Sequence, residues 1–125
     1  MEEYIEKEKY LEKNKQIGIH FVYNINDINK TIINDNNYLK DVFNKLMKTY
    51  KLSILNVIFH EFEPYGLTGL YLLSESHLSF HTWPEHGKIC LDLFSCSKDM
   101  SYDTVIDYLK DTLQTNNIDV LKINR

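Results

Sequence analysis

Residues 53–96 read SILNVIFHEF-EPYG-LTGLYLLSE-SHLSFHTW-PEHG-KICLDLFSC. The runs 53–62, 67–74, 76–83 and 88–96 are rich in β-branched, aromatic and aliphatic residues, and each has the length of a strand. Pro64 beside Gly66 breaks the first pair and Pro84-Glu85-His86-Gly87 breaks the last, and both are turn chemistry. Four strands in succession are therefore predicted, the first two forming a hairpin. Within 77–83, His77, Ser79, His81 and Trp83 fall on one face of an extended chain, and Leu78, Phe80 and Thr82 on the other. The second set serves a core. The first leaves a polar, reactive row that a small sheet has no structural need to display.

Working outward, Ile17, Ile19, Phe21, Tyr23 and Ile25 alternate with Gly18, His20, Val22 and Asn24, the pattern of a half-buried strand over 17–25. A polar, Asn-rich connection follows. Leu39, Val42, Phe43, Leu46, Met47 and Tyr50 recur at helical spacing behind the capping candidates Asn34 and Asp35, which predicts a helix of about four turns. Beyond residue 96, Tyr102, Val105, Ile106, Leu109 and Leu113 mark a second amphipathic helix, and Ile118 to Ile123 a last strand. The order β-α-β-β-β-β-α-β has too few helices for a doubly wound parallel sheet. It predicts an α+β two-layer sandwich, a mainly antiparallel sheet with two helices packed on one face. Residues 1–16 carry nine Lys and Glu side chains with only Tyr4, Ile5, Tyr10 and Leu11 to bury, so they read as a charged N-terminal extension.

The chain has 125 residues, 43% hydrophobic, which is one domain, 17–125, after the extension. Its net charge of −4 gives no general attraction to a phosphate backbone or an anionic leaflet, so no nucleic acid and no membrane partner is expected. No apolar run approaches the roughly 20 residues of a membrane span, and the charged N-terminus is unlike a signal peptide; a cytoplasmic protein is expected. Alanine is absent and Arg125 is the only arginine, a bias of composition without functional meaning by itself.

His77 and His81 have the HxxxH spacing of a zinc-binding helix, but on a strand they stand about 13 Å apart at roughly 3.3 Å per residue. No metal site is expected. Cys90 and Cys96, six residues apart along one strand, are too far apart for a disulfide. A Ser-His-acid hydrolase would need a nucleophile elbow, and no G-x-S-x-G occurs. Taken singly, His81 reads as a hydrogen-bonded structural histidine, Cys96 as a small buried hydrophobe, and Phe62 and Trp83 as core aromatics.

Their joint register changes that reading. The run Leu73 to Glu85, LSESHLSFHTWPE, resembles the signature of the bacterial and archaeal type of S-adenosylmethionine decarboxylase, a pyruvoyl-dependent family of polyamine synthesis. The resemblance begins near Gly18-x-His20, continues through Phe59 to Leu73, and includes Asp92-x-Phe94-x-Cys96 and the final helix and strand. It covers about 105 of the 125 residues.

The resemblance implies a self-made cofactor. The Ser76 hydroxyl attacks the Glu75 carbonyl, β-elimination splits the chain into 1–75 and 76–125, and the serine becomes a pyruvoyl group. Its ketone takes the amine of S-adenosylmethionine as a Schiff base and accepts the electrons released with CO₂. His81 matches the processing histidine and Cys96 the residue that reprotonates the α-carbon. Phe62 and Trp83 match the aromatics that sandwich adenine, and Glu85 the carboxylate that binds the ribose. Thr68 stands where the family usually has a processing Ser, so slower self-cleavage is expected. Family relatives usually form homodimers with sites at the interface, so a homodimer of processed units is expected here. Two other readings stand beside this one. One is a pyruvoyl-dependent decarboxylase of arginine or ornithine, against which Phe62, Trp83 and Glu85 count. The other is an uncleaved regulatory homologue, against which Glu75, Ser76, His81 and Cys96 count.

Overall fold

Asp35 stops the chain short of a helix and then starts one: its carboxylate accepts from the Tyr38 N–H at 3.0 Å, satisfying one orphan donor of the first turn. In the computed structural model, which describes residues 5–6, 8–10, 15–96 and 101–125, the elements run as follows. They are β1 (Ile19–Ile25), α1 (Lys30–Ile33), α2 (Asn36–Thr49), β2 (Ile54–Glu61), β3 (Leu67–Leu73), β4 (His77–Trp83), a 3-10 turn at Pro84–His86, β5 (Lys88–Ser95), α3 (Tyr102–Leu113) and β6 (Ile118–Asn124). The six strands form one sheet in the order β2-β3-β4-β5-β1-β6, and every neighbouring pair is antiparallel. The expected α+β sandwich is therefore observed.

Both long helices cover the same face. Phe43 of α2 stacks on Phe80 of β4 with ring centroids 4.1 Å apart, and the Tyr71 hydroxyl of β3 donates to Asn44 at 2.6 Å. Tyr102 of α3 stacks on Phe21 of β1 at 5.8 Å, so α2 lies over the β2–β4 half and α3 over the β1 half. Tyr38 donates to the Thr112 carbonyl at 2.7 Å, Tyr108 to that of Val42 at 2.5 Å, and Tyr50 meets Thr104. Partners that descend along α3 as α2 ascends make the two helices antiparallel. Between the layers Leu39, Val42, Leu46 and Met47 of α2, Val105, Leu109 and Leu113 of α3, and the inward rows of the central strands are buried. Each fully buried Leu, Val or Phe side chain contributes roughly 1.5–3 kcal/mol. Gly69 is part of this fit. A Cβ there would lie 2.2 Å from the Phe80 ring, which occupies the space above it.

Three sequence expectations shift. The first strand begins at Ile19, not Ile17, and Ile17 is 74% exposed. It lies past Ile19, the first β1 residue paired to both β5 and β6, so no layer covers it. The Asn-rich connection contains the single helical turn α1, capped by the Asn29 side chain on the Ile32 N–H at 2.9 Å and seated by buried Ile33. Four residues are too few to show a period. The extension 1–16 falls largely outside the described residues; 8–10 form a helical turn, with the Tyr10 N–H donating to the Glu6 carbonyl.

The other face of the sheet carries neither of the two long helices; at one end Ile5 and Tyr10 border a cavity there with His20 and Arg125. This face carries His20 on β1, Thr68, Leu70 and Leu72 on β3, His77, Ser79, His81 and Trp83 on β4, and Cys90, Asp92 and Phe94 on β5, as cross-strand register requires. The inward row of β4 is Leu78, Phe80 and Thr82, all buried, which is the predicted parity.

Candidate active site

The Glu75–Ser76 bond sits in the tight turn between β3 and β4. The Leu73 N–H donates to the Ser76 carbonyl at 3.0 Å, closing the hairpin, and the Ser74 N–H donates to the Ser53 carbonyl at 3.1 Å, tying the turn to the chain that leaves α2. From the end of β5 the Cys96 thiol donates to the Glu75 carbonyl oxygen at 3.2 Å. A carbonyl that accepts from a positioned donor is more electrophilic, and the donor supports the negative charge that builds when a nucleophile adds. The neighbouring hydroxyl is that of Ser76, half-buried and beside a cavity of about 550 Å³ that Glu75, Ser76 and Cys96 also line. The sequence-predicted cleavage pair and the predicted proton donor are thus brought together.

Around this end of the open face the register packs His77 against Phe94, ring centroids 5.8 Å apart, and sets His20 edge-on to Phe94 at 6.4 Å. His20 Nε2 also lies 3.4 Å from Asp92 Oδ1, an ion pair when the ring is protonated. Gly18 lets β1 enter here. A Cβ at that position would lie 2.7 Å from the Ser95 carbonyl and 3.0 Å from the Phe94 ring.

A second group forms at the opposite end of β4. Thr68 and His81 face each other across β3 and β4, and Thr68 Oγ1 lies 2.8 Å from His81 Nδ1; the tautomer decides which donates. Trp83 and Phe62 lie close by in sequence at the same end, 48% and 50% exposed, so their rings have area to offer a ligand. Glu85 follows in the 3-10 turn, exposed. Cys90 pairs in register with His81 on the next strand and contacts Asn24 at 3.7 Å; both cysteines are free thiols.

One chain does not bring the two groups together. Ser76 and His81 are five residues apart along an extended strand, roughly 16 Å at 3.3 Å per residue. The first group holds the predicted cleavage bond and a thiol; the second holds a hydroxyl–imidazole pair, two open aromatic rings and a carboxylate. Sequence reading missed His20 and Arg125 as neighbours of the cleavage turn. Their proximity depends on β1 lying between β5 and β6, a long-range pairing with no local signal.

The fold and this open face define a class: small α+β sandwiches that carry a polar row on the side of an antiparallel sheet away from its two long helices. The chain belongs to the S-adenosylmethionine decarboxylase family, whose model matches residues 19–125. It is similar to the S-adenosylmethionine decarboxylase proenzyme of Synechococcus sp. (strain WH7803), 37% identical over 101 residues, covering 81% of this chain and 79% of the relative. It is also similar to the proenzyme of the same name from Clostridium botulinum (strain Langeland / NCTC 10281 / Type F), 32% identical over 111 residues, covering 89% and 96%. Among solved structures it matches the adenosylmethionine decarboxylase from Aquifex aeolicus VF5 with a TM-score of 0.79 and 27% identity, over 90% of this chain and 92% of that one.

Proposed function

We propose that this chain is a cytoplasmic, self-processing, pyruvoyl-dependent decarboxylase of S-adenosylmethionine that supplies the aminopropyl donor for polyamine synthesis. The observation that carries the reading is the Cys96 thiol on the Glu75 carbonyl at 3.2 Å, with the Ser76 hydroxyl next in the chain. A serine that becomes the cofactor fits this turn, because the peptide to be broken is held from both sides and its carbonyl is already polarised. The Ser76 hydroxyl adds to the Glu75 carbonyl, and the amide becomes an ester while Cys96 supports the oxygen's developing charge. His81, held by Thr68, removes the α-proton of residue 76, and elimination leaves chains 1–75 and 76–125. The pyruvoyl ketone then supplies the electron sink that no ordinary side chain offers. Phe62 and Trp83 stack on the adenine, Glu85 accepts from the ribose hydroxyls, and Cys96 returns a proton to the substrate carbon after CO₂ has left.

His81 and Thr68 cannot serve the Ser76 of their own chain across a strand's length. The working unit is therefore a homodimer in which two open faces meet about a two-fold axis running across the strands. The cleavage turn of one copy then lies against the Thr68–His81 end of the other. The exposed Ile58, Leu70, Leu72 and Leu121 on that face support this reading, since apolar area of this kind is stabilised by cover.

The test is an intact-mass measurement on parent and Ser76→Ala. Two chains for the parent, the shorter beginning with pyruvoyl, and one uncleaved chain for the mutant are expected. Cleavage of Ser76→Ala at the same bond would refute self-processing.

A further inference from the structure

Arg125, the only guanidinium in the chain, lines the cavity beside the Glu75–Ser76 turn. Its backbone continues the sheet: the Arg125 N–H donates to the Gly18 carbonyl at 2.9 Å and the Gly18 N–H donates back at 2.9 Å. Its Cζ lies 5.5 Å from the centroid of the Phe94 ring, the ring that also packs against His77. A guanidinium held over an aromatic face keeps its in-plane N–H donors free for a carboxylate. Among the described residues no carboxylate lies within 4.0 Å of it. Arg125, Lys15, Glu75, Ser76 and His77 line one cavity of about 590 Å³.

The charge balance of the proposed self-cleavage shows what this cation is for, and the inference rests on that reading. Ordinary peptide hydrolysis yields a carboxylate and an ammonium group, which compensate each other. Here the peptide plus one water gives a Glu75 carboxylate, a neutral pyruvoyl ketone and free ammonium: the Glu75 C–N bond becomes a C–O bond to the Ser76 oxygen, that oxygen leaves Cβ with the bonding electrons, and water replaces the nitrogen. The protein keeps one new negative charge, beside the Glu75 side chain, and no new positive one. The oxygen that now accepts from Cys96 becomes part of that carboxylate. Left in place, it would hold the thiol proton that the decarboxylation step needs.

We propose that Arg125 receives the Glu75 α-carboxylate set free by self-cleavage and draws it away from the Cys96 thiol. Arg125 is thus a positioning residue, acting on catalysis through Cys96.

The experiment introduces Arg125→Gln and Arg125→Lys into the parent and into uncleaved Ser76→Ala, each read first without and then with added S-adenosylmethionine. Intact mass first establishes which samples are cleaved. Thermal midpoints, and the pH dependence of iodoacetamide labelling read at the Cys96 peptide, are then compared. In the cleaved protein Arg125→Gln is expected to lower the midpoint and slow labelling at neutral pH on the order of fivefold, because the unclaimed carboxylate disfavours the thiolate. Arg125→Lys restores part of both. In the Ser76→Ala background the same substitutions change neither by a comparable amount. Equal changes in both backgrounds, or none in either, would overturn the proposal, as would an effect that needs added S-adenosylmethionine, which would assign the guanidinium to the substrate's carboxylate. A parent that remains one chain refutes the cleavage reading itself, and Arg125's role with it.

Discussion

Thr68 and Glu85 show how single side chains tune the proposed chemistry. Threonine keeps the hydroxyl that meets His81 at 2.8 Å, but its methyl restricts χ1, so fewer orientations of the pair are open while the chain is being cut. Thr68→Ser is expected to self-cleave at least as fast as the parent. Thr68→Ala, which loses one hydrogen bond worth about 1 kcal/mol, should cleave roughly fivefold more slowly in a time course of the two chains. In the proposed chemistry Glu85 and Trp83 act later. Trp83→Ala and Glu85→Gln should leave self-cleavage intact and weaken use of S-adenosylmethionine, the Glu85 change by about tenfold to a hundredfold in kcat/KM, since a hydrogen bond to a charged group is worth about 1.5–3 kcal/mol. CO₂ release from S-adenosylmethionine, arginine and ornithine reads this directly, and a parent active only on a basic amino acid would remove the adenosine assignment. Glu75, Ser76, His81, Trp83 and Glu85 were legible because LSESHLSFHTWPE puts them in one short run. Which of them are spatial neighbours was not: Cys96 on Glu75 depends on the end of β5 meeting the β3–β4 turn.

At the scale of elements, period carried most of the information. Alternation in 77–83 separates the buried row Leu78, Phe80 and Thr82 from the polar row, because a pleated strand has no other way to dispose of them. The helical stripe Leu39 to Met47 likewise fixed which face of α2 is buried. Period failed for α1, too short to have one, and for Ile17, whose place in the alternation is real but whose position lies beyond the paired sheet. Nor does period report hydrogen bonding. Tyr23 sits on the inward row of β1, fully buried, and its hydroxyl has no partner among the described residues. Burial, with a smaller contribution from Tyr50, pushes this phenol's pKa far above its usual 10.0. A group whose pKa is raised on folding gives stability that is complete below its unfolded pKa and is lost as pH rises past it, here from about pH 10 upward. Tyr23→Phe removes both the unsatisfied hydroxyl and its ionisation. It should stabilise the protein by about 1 kcal/mol at neutral pH and by more above pH 10, measured by urea unfolding at both.

For the whole molecule, the sheet order decides how many chains make a site. The pattern of the chain predicts a two-layer sandwich with both long helices on one face. It could not give the insertion of β1 between β5 and β6, because antiparallel partners many residues apart leave no mark on local pattern. That order, with β4 running from His77 to Trp83, sets the two groups at opposite ends of one open face. A dimer that joins the ends predicts complementation in trans. Ser76→Ala has no hydroxyl to attack but keeps Thr68 and His81; His81→Ala keeps Glu75, Ser76 and Cys96 but lacks the base. Each mutant alone should be cleaved slowly or not at all. When the two are co-expressed with distinguishable tags, the His81→Ala chain paired with a Ser76→Ala chain has one complete constellation, and the His81→Ala chain alone should be cut. The expected yield is up to about half of the His81→Ala chains if pairing is random, since a two-fold dimer pairs each chain with either kind. No gain in cleavage over the separately expressed mutants would mean that His81 acts within its own chain, and β4 would then have to bend to bring it to Ser76.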